Sequence, residues 1–195
     1  MRVLLLSLVA AGMLLSSGHP KALFTRDAEN LPRNWMSPKP GHVMPPRATS
    51  LCRKDEQVLF ACKTAASKII SLCGSKELEE KKGYLQYRFG KPGALELQFP
   101  EKLENTQSAF RYDNYFRAQV SRTHLRFDNG GYRYELFYYY EGDISPKIIQ
   151  GGVTVEPPGK DKESIQIDCL GRVVSRLAGL ESVVPPVEDS DLNPQ

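Results

Sequence analysis

The chain has 195 residues, of which 25% are charged and 41% apolar, and its formal net charge is +3. That length and balance describe one globular domain with irregular tails rather than two domains. A charge this close to neutral gives no argument for nucleic acid as a partner.

The first residues read as a secretory signal peptide. Met1-Arg2 supplies the positive end, Val3–Leu15 is an apolar run, and Ser16-Ser17-Gly18 is a small-residue exit with cleavage expected after Gly18. The run is shorter than the roughly 20 residues that a bilayer span needs. No cysteine follows it, so the lipobox of acylated proteins is missing. The expected product is periplasmic or secreted, with no membrane span.

Residues 19–50 hold Pro20, Pro32, Pro38, Pro40, Pro45 and Pro46 and show no apolar period, so they read as a disordered linker. Trp35 in this arm is either a docking anchor or a ring that packs back onto the domain. From 51 to 183 the apolar period is two, which signals strands. Val58, Phe60 and Cys62 alternate with Leu59, Ala61 and Lys63, and Ile69–Cys73 completes a hairpin. Tyr84–Phe89 is a third strand, stopped by Gly90-Lys91-Pro92-Gly93. Leu95, Leu97 and Phe99 form a half-buried strand that ends at Pro100.

Thr123, Leu125 and Phe127 alternate with His124, Arg126 and Asp128, and Asn129-Gly130-Gly131 turns the chain into Tyr132–Tyr140. In that last run the Tyr138-Tyr139-Tyr140 triplet is expected to place one ring inside and two outside. Ile148–Val155, interrupted at Gly151-Gly152, and Ser164–Cys169 bring the total to eight or nine strands. Val173, Val174, Leu177 and Leu180 recur at helical spacing, which predicts a short amphipathic helix over 172–181. Residues 184–195 form an acidic tail expected to be disordered. The fold class is therefore mainly β, an antiparallel meander forming a small barrel or sandwich with one short C-terminal helix.

Cys52, Cys62, Cys73 and Cys169 are an even set in an exported chain, so disulfides are expected. Their spacing lacks the short Cys/His clusters of a zinc site, so neither a metal nor a cofactor is expected. Register decides the pairing. If Val58, Phe60 and Cys62 face the core, a hairpin that keeps Ile70 and Leu72 beside them sends Cys73 to the opposite face. Cys62 and Cys73 then cannot bond, which predicts Cys62–Cys169 and Cys52–Cys73. A bulge in this hairpin would reverse the parity.

Nothing in the chain assembles a catalytic constellation. A nucleophile–base pair needs a histidine oriented by an acid. Within the domain only His124 is available, and it reads as a surface histidine on a polar strand face. The informative stretch is Ser108–Tyr140. Arg122, Arg126 and Arg133 fall on the side away from Leu125, Phe127 and Leu136. In a continuous strand Arg111, Tyr115 and Arg117 join them, opposite Phe110, Phe116 and Val120; a turn at Asp113-Asn114 would break that register. Guanidinium forks and phenol rings on one face suit acidic or sugar partners. Cross-strand Arg/Glu/Tyr pairing on a solvated face is the simpler explanation of them.

The segments F-A-C (60–62), Y-L-Q-Y-R-F-G-K-P-G (84–93), S-A-F-R-Y (108–112) and F-D-N-G-G-Y-R-Y-E-L-F (127–137) resemble a group of uncharacterised bacterial exported proteins over most of residues 52–170. The plan is also similar to the bacterial inhibitors of c-type lysozyme, exported antiparallel β barrels whose S-G-x-x-Y loop enters the lysozyme cleft. Ser108 and Tyr112 match the ends of that motif, and Ala109 stands in place of its glycine. The resemblance implies a loop role for Ser108 and Tyr112. The sequence reading is thus an exported, non-enzymatic binding module. Its partner is a protein or carbohydrate of the envelope or extracellular space, met through Ser108, Arg111, Tyr112, Tyr115, Arg117, Arg122, Arg126 and Arg133. Inhibition of a cell-wall hydrolase and binding of an envelope polymer are the two alternatives.

Overall fold

The computed structural model describes residues 49–159 and 163–188. The signal peptide and the linker with Trp35 lie outside the described residues, as does the end of the acidic tail. Nine antiparallel strands form one sheet that curls into a half-barrel. They are β1 (Glu56–Thr64), β2 (Ile69–Ser75), β3 (Leu85–Lys91), β4 (Ala94–Phe99), β5 (Arg111–Arg117), β6 (Val120–Asn129), β7 (Tyr132–Glu141), β8 (Ile148–Glu156) and β9 (Ile165–Ser175). The spatial order is β4-β3-β2-β1-β9-β8-β7-β6-β5, so β4 and β5 are the two edges. β9 bridges the halves, because its first part pairs with β8 and its second part with β1.

Turn chemistry sets the hairpins. Gly130 and Gly131, with φ of 59° and 83°, are the two central residues between Asn129 and Tyr132, a turn that suits the twist of β6 and β7. The β5–β6 turn falls at Ala118–Gln119, with Gln119 at φ 63°, and Asp113 and Asn114 lie within β5.

The concave face is aromatic. Phe127 stacks on Phe99 at 4.7 Å and on Tyr134 at 4.8 Å, and it also meets Tyr87 and Phe110. Phe60, Ile70, Leu72, Leu85, Leu125 and Leu136 complete the core. The Phe99–Phe110 contact at 5.7 Å brings the two edge strands together at one end, where no ladder hydrogen bonds join them.

Both disulfides are present, Cys62–Cys169 and Cys52–Cys73. The hairpin does contain a bulge, but it lies between Val58 and Phe60. Phe60 and Cys62 therefore stay opposite Leu72 and Ile70, and the parity argument survives. Only Val58 is displaced: it pairs with Cys73 and lies on the convex side, not on the core side with Phe60.

Several local expectations change. The 172–181 segment is not a helix: β9 runs to Ser175, and only Leu177–Leu180 forms a single 3-10 turn. The β-branched pair Val173-Val174 favours the strand, and one 3-10 turn already puts Leu177 and Leu180 on one face. Both leucines are buried. Gly151-Gly152 does not interrupt β8; a Cβ at Gly152 would lie 2.5 Å from the Ile167 carbonyl oxygen and 2.9 Å from the Phe137 ring. Gly152→Ala is expected to destabilise by about 1–3 kcal/mol through overpacking, read as a lower denaturant midpoint at unchanged slope. Residues 184–187 lie along β5: Tyr112 N–H donates to the Pro185 carbonyl at 2.8 Å, and Val187 N–H to the Tyr112 carbonyl at 2.9 Å. Among the described residues no helix is long and apolar enough to cross a membrane.

Candidate functional site

The ladder β5–β6–β7 fixes which side chains share the convex face. Arg111 pairs with Arg126 and Arg126 with Glu135; Asp113 pairs with His124 and His124 with Phe137; Tyr115 pairs with Arg122 and Arg122 with Tyr139. Because directly paired residues point the same way, Arg111, Tyr115, Arg117, Arg122 and Arg126 share one face, and Arg133 joins them beside Asp128. Val120 also lies on this side, opposite Arg117, because the two-residue turn resets the register of a continuous strand. Phe116 points the other way but lies beyond the core, 75% exposed.

The arginines divide into two groups at opposite ends of the strands. At the β5–β6 turn, Arg117 pairs with Asp143 at 2.7 Å, and Arg122 Nε donates to Glu141 at 2.9 Å. The first pairs β5 with the β7–β8 loop and the second β6 with β7, so both forks are already taken by acids. At the other end an open cleft of about 620 Å³ is lined by Arg111, Arg126 and Arg133, with Phe99 and Phe127 as its apolar wall. Ser108, Ala109, Asp128, Val187 and Glu188 complete it. The cleft lies at the seam where the edges β4 and β5 approach without pairing.

The three cleft arginines are held differently. Arg126 Nε donates to Glu135 at 2.5 Å. Arg133 lies 3.5 Å from Asp128 and 3.9 Å from Glu156, both loose and exposed. Arg111 Nη1 donates to the carbonyls of Ser108 and Phe110, each at 2.8 Å. Among the described residues no carboxylate lies within ion-pair distance of Arg111. Two backbone oxygens thus orient this guanidinium without neutralising its charge. The 3-10 turn Thr106–Ala109 that supplies the Ser108 carbonyl is itself anchored. Thr106 Oγ1 accepts from Leu85 N–H at 2.6 Å, and the Gln107 amide donates to the carbonyls of Glu79 and Lys82 at 2.9 Å.

Tyr112 does not join this surface. It faces the core, 5% exposed, and burial pushes its hydroxyl pKa up to about 12. Ser108 is exposed on the 3-10 turn, so the two residues of the S-A-F-R-Y segment part company. His124 is 5% exposed rather than a surface histidine; Nε2 shares a 2.6 Å hydrogen bond with the Tyr139 hydroxyl, and Nδ1 lies 3.5 Å from Glu135. Burial, then the Glu135 charge, raises the Tyr139 pKa. In the tyrosine triplet the pairing puts Tyr138 and Tyr140 on the concave side and Tyr139 outside, two in and one out.

A second polar cluster escaped the sequence reading. On the convex side of β1–β3, Arg88, 2% exposed, forms a two-pronged ion pair with Glu56, both N–O distances being 2.7 Å. Gln86 Oε1 accepts from Arg88 Nε and Nη2, the Leu51 carbonyl accepts from Nη1, and the Tyr84 hydroxyl donates to Glu56. The residues involved lie up to 37 positions apart in sequence, so no local pattern announces them. Cys52, Cys73 and Glu56 also come together here, with ligand atoms within 4.8 Å. The two sulfurs are joined to each other and the carboxylate is held by Arg88, so the trio is a structural cluster. No protein-family model matches the chain, and no curated protein or solved structure shows significant similarity to it.

Proposed function

We propose that this chain is an exported, non-enzymatic binding module that holds a carboxylate group of its ligand in the cleft between Arg111, Arg126 and Arg133. The observation that carries the reading is Arg111: a guanidinium held in place by two carbonyls, with no acid within ion-pair distance among the described residues, beside an apolar aromatic wall. An arginine fork matches a carboxylate bidentately, and the partly exposed Phe99, backed by the buried Phe127 ring, offers an apolar contact for a sugar ring or an apolar side chain. The cleft volume suits a short oligomer. Two disulfides fit an oxidising compartment.

Uronic-acid glycans and acidic peptides share this chemistry. Calorimetric titration with oligogalacturonate in one arm and a Glu-rich peptide in the other distinguishes the two sources. Arg111→Ala is expected to weaken binding roughly 10- to 100-fold, the loss of one charged hydrogen-bonded contact of about 1.5–3 kcal/mol. Arg117→Ala, at the far end and already paired with Asp143, is expected to change it little. No binding in either arm, or equal losses from both substitutions, would refute the assignment. The buried Tyr112 does not favour loop insertion into a hydrolase cleft, because only Ser108 of that pair is presented.

A further inference from the structure

We infer that Cys52–Cys73 is a reversible thiol–disulfide exchange site that an external dithiol opens by attack at Cys52, while Cys62–Cys169 stays closed. The inference stands apart from the cleft on the other half of the sheet.

Three observations carry it. The first is access. Cys52 is partly exposed on the segment that enters β1, and a groove lined by Leu51, Cys52, Pro92, Gly93 and Leu95 leads to it. Cys73 is fully buried. An incoming thiolate therefore reaches Cys52 Sγ and expels Cys73.

The second is the leaving group. Cys73 Sγ lies 3.5 Å from Arg88 Nη1. That nitrogen carries two hydrogens and faces three acceptors: Glu56 Oε2, the Leu51 carbonyl and the Cys73 sulfur. When the bond to Cys73 breaks, Leu51 N–H still donates to Ser71 Oγ and Arg53 N–H to Glu56. The segment therefore stays docked, and the Cys73 thiolate competes with the Leu51 carbonyl for an Nη1 hydrogen that already lies within its reach. An Arg88 N–H donor in direct contact lowers the basicity of the departing thiolate and speeds exchange, working against the Glu56 carboxylate that lies within 4.8 Å of the same sulfur.

The third is contrast. Cys169 is also partly exposed, but its partner Cys62 lies in the apolar core with Phe60, Ile70 and Leu72. Attack at Cys169 would expel a thiolate into hydrocarbon, which penalises that charge.

The balance is complete with the dithiol as reductant. Its first thiolate forms a bond to Cys52 Sγ as the Cys52–Cys73 bond breaks, and the electron pair leaves on Cys73. Its second thiol gives its proton to solvent, attacks the mixed disulfide and expels Cys52 as thiolate. Two electrons pass to the cysteine pair, which takes up two protons from solvent, and the dithiol ends as a disulfide. The product removes the covalent tie between the Leu51–Arg53 segment and β2 and leaves its hydrogen bonds to Ser71 and Glu56.

The test uses the native full chain. Limiting dithiothreitol without denaturant, quenched with N-ethylmaleimide at intervals and mapped by mass spectrometry, reports which thiols open. Cys52 and Cys73 are expected to react roughly tenfold or more faster than Cys62 and Cys169. A small monothiol used instead should leave its adduct on Cys52. Opening of Cys62–Cys169 first or at the same rate, or an adduct on Cys73, would overturn the inference.

Discussion

Arg88→Ala is expected to lower the unfolding free energy by about 3–5 kcal/mol, one of the largest single-residue effects in the domain. The size follows from what remains. Glu56 is held on the convex face by both prongs of Arg88, by Arg53 N–H at 2.5 Å and by the Tyr84 hydroxyl. Removing the guanidinium leaves a buried carboxylate with neutral donors only, and leaves Gln86 Oε1 without its donor. Replacing both partners by apolar residues, Glu56→Leu with Arg88→Met, is expected to cost less than Arg88→Ala or Glu56→Ala alone, because no charge is stranded. Urea unfolding of the four proteins checks this, and additive losses would contradict it.

The same pair sets an acid limb. Burial is the largest influence on Glu56 and would raise its pKa, but Arg88, the Arg53 N–H and Tyr84 together hold it below the usual carboxylate range. A carboxyl whose folded pKa is lowered stabilises the fold fully above its unfolded pKa of about 4.3, and that stabilisation is lost as pH falls through the lower folded value. Glu56→Gln should therefore flatten the fall of stability below about pH 5.

Phe127→Ala is the second large effect, expected at about 3–5 kcal/mol. Phe127 touches Phe99, Tyr134, Tyr87 and Phe110, so one ring ties β6 to β3, β4, β7 and the entry to β5. The seam between β4 and β5 has no ladder bonds, and its closure rests on these rings. The truncation should thus also loosen the cleft wall. Amide exchange is expected to accelerate in β4 and β5 more than in β1 and β2, and a uniform acceleration would contradict this division of labour.

Much of this was readable in the chain. The two-residue rhythm placed the strands, Asn129-Gly130-Gly131 fixed the β6–β7 hairpin, and the parity of Phe60, Cys62, Leu72 and Cys73 decided the sulfur pairing. The convex arginines were likewise set by alternation around Leu125 and Phe127. What failed was what alternation cannot carry. One extra residue at the β1 bulge moved Val58, and the two-residue turn at Ala118–Gln119 carried Val120 to the arginine side. Apolar residues at i and i+3 fitted a 3-10 turn as well as a helix. The split of the arginines into a paired end and a cleft end depends on Asp143, Glu141 and the Ser108 carbonyl, and on how the sheet curls, so it is visible only in three dimensions. The Arg88–Glu56 pair is non-local in the same sense.

The most direct test of carboxylate capture is to follow the arginine side-chain Nε–Hε resonances by NMR during titration with oligogalacturonate and with the Glu-rich peptide. The structure predicts that in at least one titration the Arg111 and Arg133 signals move together while those of Arg117 and Arg122 stay in place. Movement confined to Arg117 and Arg122, or no movement at millimolar probe in either titration, would contradict it.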